Sequence, residues 1–506
     1  MGVRMAQREQ WATRTGFILA AAGSAIGLGD VWRFPYIAYQ NGGGAFFVPY
    51  LFAFLTAGIP ILLLEYTIGH RFRGSAPLSF LRLGGKKAEW IGWWQIAISF
   101  VIGCYYAIII AWALSYFLFS FGLSWGGDPE AYFFESYIRA ADEPGTLGGP
   151  VIAVLIPLLG VWIFTLFTLS RGVQRGIERA SRIMMPVFFV LFIMIVIRAV
   201  TLPGASDGLN TLFTPDWDAI TDSKVWIAAY GQIFFSLSIA FAIMITYASY
   251  LPKKSDLTNT SLIVGFSNSS TELLAGIGVF AALGFMAQST GTPVTEVATD
   301  GIGLVFVAFP ALINELPALN TPFAVVFFLS LVVAGFTSQI SIVECCVAGV
   351  QEKFDILRSR AVWMVGGVMA LISLLFATRG GLYALDAADY FINNFGAVTA
   401  GLLEVVLVAW ILRRVGELQN HANAVSDIPI GGWWKVSLTF ITPVMLGYML
   451  VDNTITNLTS NYEDYPTGFL RAYGWGILAA SIIAALAFTM KTWNRSMVDL
   501  PEEAMA

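Results

Sequence analysis

Runs of apolar residues long enough to cross a bilayer recur along almost the whole chain, separated by short polar or basic stretches. A spanning helix needs about 20 such residues. Twelve segments qualify: roughly 13–39, 42–69, 90–122, 150–170, 183–200, 225–250, 261–286, 322–350, 361–378, 383–413, 434–452 and 468–491. The pattern predicts an all-α integral membrane protein of about twelve transmembrane helices. The stretch at 74–89 between the second and third spans is basic and reads as an amphipathic hairpin at the membrane face.

Two spans break their own pattern. The middle of the first reads Gly23-Ser24-Ala25-Ile26-Gly27-Leu28-Gly29-Asp30, followed by Arg33 and Pro35. Inside a helix each glycine costs roughly 1 kcal/mol relative to alanine, and proline about 3 kcal/mol. In hydrocarbon the backbone groups freed by a break cost several kcal/mol each unless something satisfies them. A cation on the bare carbonyls and a carboxylate at the amide end of the next half-helix would do so. Small residues also let helices approach closely, so a packing kink accounts for the glycines equally well. The sixth span reads Gly231-Gln232-Ile233-Phe234-Phe235-Ser236-Leu237-Ser238-Ile239-Ala240-Phe241, with Gln232, Ser236 and Ser238 at mid-depth. Serine side chains compete with the helix for its own backbone groups. Span one opens a first group of five and span six a second. Interrupted segments at matching positions of two halves point to an inverted-repeat secondary transporter with its site near the midplane.

Other spans add chemistry. Tyr105 and Tyr106 lie mid-depth in span three; neighbours on a helix point about 100° apart, so one at most is expected to face a given cavity. Span seven holds Asn268, Ser269, Ser270 and Glu272. A carboxylate there costs roughly 2.5–3.5 kcal/mol on insertion scales; a paired or protonated packing glutamate is the alternative. In span eight Ala334, Thr337 and Ser338 stand at i, i+3 and i+4, so one face presents a small residue and two hydroxyls. Hydroxyls with carbonyls suit a hard monovalent cation, while helix packing is the commoner use of such residues. The basic stretch from Arg171 to Arg182, with Gly176 and Pro186, either unwinds to admit water at the start of span five or is an ordinary kinked helix start.

Composition sharpens this. The 506 residues are 57% hydrophobic and 12% charged, with mean hydropathy +0.72; soluble domains carry about 25% charged residues. With the N-terminus placed in the cytoplasm, 22 of the 28 lysines and arginines fall on cytoplasmic tails and loops and six (Arg33, Arg139, Arg198, Lys224, Arg379, Arg471) elsewhere. Such a bias predicts a multi-pass protein with both termini cytoplasmic. The first apolar segment is too long for a cleavable signal peptide. Cys104, Cys345 and Cys346 all lie in apolar spans, so no extracellular disulfide is implied. His70 and His421 are the only histidines and cannot build a metal or haem site alone. No GxxxxGK[ST] phosphate loop is present. Nothing calls for a nucleic-acid partner or an obligatory protein partner.

Trp11-Ala12-Thr13-Arg14, Gly23 to Pro35, Asn41 to Phe46, Gly231 to Ser249, Thr337-Ser338 and Asp386 to Asp389 resemble the neurotransmitter:sodium symporter family, closest to its bacterial amino-acid branch. The resemblance runs from about residue 7 to 490, and the first-span motif is highly specific. It implies two inverted five-helix repeats with broken first and sixth helices plus two extra helices. The corresponding divisions are 1–11 as cytoplasmic N-terminal tail, 12–200 and 224–414 as the repeats, 431–491 as the additional helices and 492–506 as cytoplasmic C-terminal tail. It further implies alternating access in the plasma membrane with two sodium ions and an amino acid as cargo.

Carried over residue by residue, one sodium would meet the Ala25 carbonyl, Asp30, Ser236, Asn268 and the substrate carboxylate. The other would meet the carbonyls of Gly23, Ile26 and Ala334 and the hydroxyls of Thr337 and Ser338. The substrate would also touch Ala25, Tyr106, Ser338, the amides near Leu28 and Gly29, Gly27, and the break around Phe235, Ser236 and Ser238. Ile102, Phe235, Phe241 and Ile342 would line the side-chain pocket. Arg33 and Asp389 would close an outer gate; Arg8 and Glu352, supported by Trp11 and Tyr250, an inner one.

Three departures matter. Asp30 replaces the family's usual asparagine, Glu352 its usual aspartate, and Gly27 stands where monoamine transporters carry an aspartate that binds the amine. Glu272 stands where chloride-dependent members generally have serine, so a fixed carboxylate is expected to substitute for chloride. The expected function is chloride-independent, sodium-coupled uptake of hydrophobic, aliphatic to aromatic L-amino acids. A sodium symporter for another small zwitterion and an ion channel are the alternatives. A membrane enzyme would need a base, nucleophile or metal cluster that two peripheral histidines do not offer.

Overall fold

The structure, a computed structural model, describes residues 9–294 and 301–498. Among the described residues there is no β-strand, only the isolated bridges Gly43–Pro215 and Pro150–Thr378. Nine helical segments among them are long and apolar enough to cross a membrane. In chain order they are α2 (Gly44–Phe72), α3 (Lys86–Phe119), α4 (Ile152–Ser170), α5 (Val173–Val200), α7 (Leu257–Thr290), α8 (Asn320–Phe354), α10 (Gly381–Ile411), α11 (Gly432–Asp464) and α12 (Thr467–Met490). The other three expected spans are short or split. Span nine is α9 (Arg358–Ser373). Span one is α1a (Arg14–Ala25) and α1b (Leu28–Gln40). Span six is α6a (Ser223–Ser236) and α6b (Ile243–Ser249). The chain is therefore an all-α membrane protein whose first and sixth helices are broken.

The centre of the bundle is α3 and α8, buried over 78% and 83% of their apolar windows; α12, at 17%, faces outward. Gln339 of α8 donates to the Gly103 carbonyl of α3 at 3.0 Å, which ties the central pair together.

The first break is narrower than its glycines suggest. Helix α1a continues to Ala25, and only Ile26 and Gly27 are extended. Gly23 is helical, and a Cβ on it would lie 2.7 Å from Met185 Sδ and 3.1 Å from Thr337 Cβ. A Cβ on Gly29 would lie 2.2 Å from the Phe235 ring. Two of the three glycines thus serve close packing, and one serves the break.

The break in span six lies later than its serines suggest. The helix holds through Ser236 and unwinds over 237–242. There Ser238, Ala240 and Ala242 adopt positive φ of 52°, 66° and 61°. Each such residue costs roughly 1–2 kcal/mol, since none is glycine. Neighbours hold them. Glu65 of α2 accepts from the Ala240 N–H at 2.6 Å, and Ser99 of α3 donates to the Phe241 carbonyl at 2.5 Å.

Span five does not unwind at its basic start: a single π turn, Val173–Glu178, leads directly into the helix. Glu178 is buried there and accepts from Ala12 N at 2.7 Å and Thr13 Oγ1 at 2.9 Å, pinning the start of α1a. The stretch at 74–89 forms one helix, Ala76–Gly84, and turns at Gly85 (φ 74°) into α3. The two histidines meet at the same basic end of the bundle, with His70 Nδ1 2.9 Å from His421 Nε2.

Candidate functional site

The two breaks face one another across a cavity of about 440 Å³. It is lined by Ala25, Gly27, Leu28 and Gly29 of span one, Ile102 and Tyr106 of α3, Phe235, Ser236, Ser238 and Phe241 of span six, and Ser338 and Ile342 of α8. These are the twelve residues named from the sequence as a substrate contact set. The Tyr106 hydroxyl accepts from the Leu28 N–H at 3.2 Å, at the start of α1b. Asp30, on the first turn of that half-helix, accepts from the Gly27 N–H at 2.8 Å. The walls are mixed: isoleucine and phenylalanine side chains, with backbone and hydroxyls at the breaks.

Two all-oxygen groups flank this cavity. In the first, Asn268 donates to Ser236 Oγ at 2.5 Å, while Asn268 Oδ1 and Asp30 Oδ1 are buried with no hydrogen-bond partner. A buried polar atom left unpaired costs about 1–3 kcal/mol, so each asks for a partner. Glu272 stands beside Asp30. It accepts from Gln232 Nε2 at 2.5 Å and from the Tyr50 hydroxyl, which also donates to Ser269 at 2.8 Å. Ser236, which accepts from Asn268, also hydrogen-bonds Glu272.

In the second group Ser338 Oγ lies 3.3 Å from the Gly23 carbonyl, 3.4 Å from that of Ser24 and 3.4 Å from that of Ala334. Thr337 Oγ1 lies 2.8 Å from the Ala334 carbonyl. The helical spacing of Ala334, Thr337 and Ser338 therefore delivers its face to the end of α1a. Oxygen-only donor sets of this kind suit hard cations.

Both adjacent tyrosines line the cavity, contrary to the expectation from their helical angle. The cavity is long, and Tyr106 meets its middle while Tyr105 meets its outer end. Tyr105 donates to Asp389 Oδ1 at 2.6 Å, and Asn393 donates to the same oxygen at 2.9 Å. The cavity continues past Arg33, Asp389, Asp386 and Tyr465. Among the described residues no ion pair joins Arg33 to Asp389; the Arg33 guanidinium lies 4.6 Å from the centre of the Phe235 ring.

The opposite, basic end is closed. Trp11 donates from its backbone N–H to the Tyr250 carbonyl at 3.0 Å and from its indole to the Tyr247 carbonyl at 2.9 Å. Tyr250 donates to Glu344 at 2.9 Å, and Arg358 grips both oxygens of Glu344 at 2.9 and 2.6 Å. Glu352 accepts from the backbone and hydroxyl of Ser75 at 2.8 and 2.6 Å; Arg8, its expected partner, lies outside the described residues. Glu344, Arg358 and Glu178 were not singled out from the sequence. A carboxylate inside an apolar span is itself a signal, and Glu344 carries that signal.

A family model described as the sodium:neurotransmitter symporter family matches residues 8–136 and 124–496. An uncharacterized sodium-dependent transporter of Methanocaldococcus jannaschii is 40% identical over 96% of this chain and 98% of its own length. The sodium-dependent dopamine transporter of Bos taurus is 31% identical over 94% of this chain and 73% of its own length. Among solved structures, that of MhsT in complex with L-phenylalanine superimposes with a TM-score of 0.75 at 33% identity, covering 88% of this chain and 99% of that one.

Proposed function

Because the chain belongs to the sodium:neurotransmitter symporter family, we propose that it imports hydrophobic L-amino acids, aliphatic to aromatic, with two sodium ions and without chloride. As a member it is a sodium-dependent symporter, not an enzyme and not a channel. The observation that carries the finer reading is a cavity bounded by two oxygen groups, each within reach of a helix break. Gly27 carries no side chain at the position where monoamine transporters hold an aspartate for the amine, so the substrate brings its own carboxylate to the amide end of α1b. Ile102, Phe235, Phe241 and Ile342 offer its side chain an apolar wall. The superimposable MhsT structure holds L-phenylalanine, which supports a ligand of that class here.

Asp30, Ser236, Asn268 and the Ala25 carbonyl would hold one sodium; Thr337, Ser338 and the carbonyls of Gly23, Ile26 and Ala334 the other. Residues 12–200 and 224–414 form the two inverted repeats, 431–491 the extra pair of helices, and the basic end with both tails faces the cytoplasm of a plasma-membrane protein. The closed basic end and the cavity continuing to Asp389 correspond to access from outside. Two charges at 100 mV contribute about 2.3 kcal/mol each, and a tenfold sodium gradient about 1.4 kcal/mol per ion. Together that is roughly 7 kcal/mol, or on the order of 10⁵-fold concentration of a zwitterion.

Competition by the twenty amino acids against labelled L-phenylalanine tests the substrate class. Leucine, isoleucine, tryptophan and tyrosine should compete, and glutamate, lysine and glycine should not; the reverse order would refute it. At the outer end, Asp389→Asn removes the charge opposite Arg33. It should release bound labelled L-phenylalanine to the outside about tenfold faster than wild type, and an unchanged exchange rate would remove Asp389 from the gate.

A further inference from the structure

We infer that Glu65 of α2 and Glu404 of α10 share one bound proton, which holds the unwound part of span six in the form that receives substrate. Both side chains are fully buried, as is Gln95 of α3. Glu65 spends one oxygen on the Ala240 N–H at 2.6 Å, and Glu404 accepts from Gln95 Nε2 at 2.7 Å. Three atoms of this cluster have no hydrogen-bond partner: Glu65 Oε2, Glu404 Oε1 and Gln95 Oε1. All three are acceptors, so the cluster lacks a donor. Turning the Gln95 amide over would set its oxygen against Glu404 and leave both free carboxylate oxygens as they are.

The surroundings supply no countercharge. Glu404 is the charge that bears on Glu65, and among the described residues neither carboxylate pairs with a lysine, arginine or histidine. Tyr66, the next residue of α2, keeps its buried hydroxyl unpaired, and Ser99 of α3 is committed to the Phe241 carbonyl. Two bare charges side by side in a dry interior are prohibitive, and such a group takes up a proton instead. A hard metal ion would need a fuller shell of oxygens than these three, and none of the three residues lines the substrate cavity. The cluster does reach that cavity through the backbone. Ala240, gripped by Glu65, stands at positive φ directly before Phe241, whose ring lines the cavity. With the proton bound the segment is held; as pH rises and the proton leaves, two repelling charges stand behind it.

The test compares wild type with Glu404→Gln and with Glu65→Gln, each of which keeps the side-chain size and an oxygen for its present donor. Binding of labelled L-phenylalanine to the purified full-length protein is measured in saturating sodium from neutral to strongly alkaline pH. Infrared spectra of the substrate-free protein are taken over the same range; this second readout does not rest on the proposed substrate. All three proteins should bind alike at neutral pH, and wild type should lose at least about tenfold more affinity than either variant on alkalinisation. The ammonium of the amino acid titrates equally in every sample and cancels in the comparison. In the infrared, wild type should give up one protonated-carboxyl band at alkaline pH that both variants lack from the start. Either variant suffices if the other does not fold. Parallel pH curves for wild type and variant, or a wild type without that band, overturn the inference. So does a folded variant that no longer binds at neutral pH, since both negative charges would then be needed for a metal ion. Absence of L-phenylalanine binding in all three, with the band as expected, refutes the substrate reading and leaves the proton site standing.

Discussion

Replacing Thr337 and Ser338 together by alanine should abolish sodium-driven accumulation of amino acid while leaving a folded membrane protein. The two hydroxyls are the side-chain oxygens of the second group, set among the carbonyls of Gly23, Ser24 and Ala334 at 2.8–3.4 Å. Each lost ligand costs on the order of 1–1.5 kcal/mol. Removal of both should lower sodium affinity on the order of 100-fold, beyond what an ordinary sodium gradient can offset. The fold should tolerate the change. Alanine is the strongest helix former, and it keeps the Cβ that packs 3.1 Å from the Cβ position of Gly23. Sodium titration of uptake beside a thermal melt separates the two effects. An unchanged sodium dependence in the double variant would remove these hydroxyls from the site.

Glu272→Ser should convert chloride-independent uptake into chloride-dependent uptake. Glu272 is fully buried and takes hydrogen bonds from Gln232 and Tyr50. Serine vacates the carboxylate volume and leaves those donors facing a hole with no counter-charge for the neighbouring cations. A chloride ion restores the charge and accepts the same donors. Uptake in gluconate should fall about tenfold or more in the variant and recover when chloride is supplied, while wild type is indifferent to the exchange. A chloride requirement in wild type would overturn the assignment. Full activity of the variant without chloride would transfer the compensating role to Asp30, in the first turn of α1b and beside Glu272.

Much of this was legible in the sequence because lipid imposes a simple grammar. Apolar runs located the spans. The face formed by Ala334, Thr337 and Ser338 was readable because three and four residues make a helical turn. The limits of the breaks were not readable. In span one three glycines marked the region, yet two of them serve packing against Met185, Thr337 and Phe235. In span six the unwound backbone sits on Ser238, Ala240 and Ala242, residues with no preference for positive φ. Their conformation is imposed by Glu65 and Ser99, far away in the chain. At the basic end the family resemblance named Trp11 and Tyr250 beside an inner gate, but the pairing that closes it was not readable, for the same reason. It joins Trp11 to Tyr247 and Tyr250, and Tyr250 to Glu344 and Arg358, across helices whose pairing no local pattern encodes. The angle between Tyr105 and Tyr106 was right for a small pocket but not for a cavity long enough to meet both.

The central claim is that sodium drives a hydrophobic amino acid through this cavity. It is tested most directly by uptake of labelled L-phenylalanine into proteoliposomes holding the purified protein, with sodium or choline outside. With an inward sodium gradient, L-phenylalanine should accumulate well above its outside concentration and run out again when the gradient is collapsed by a sodium ionophore. Equal uptake in sodium and choline, or uptake that stops at equal concentrations on the two sides, would contradict it.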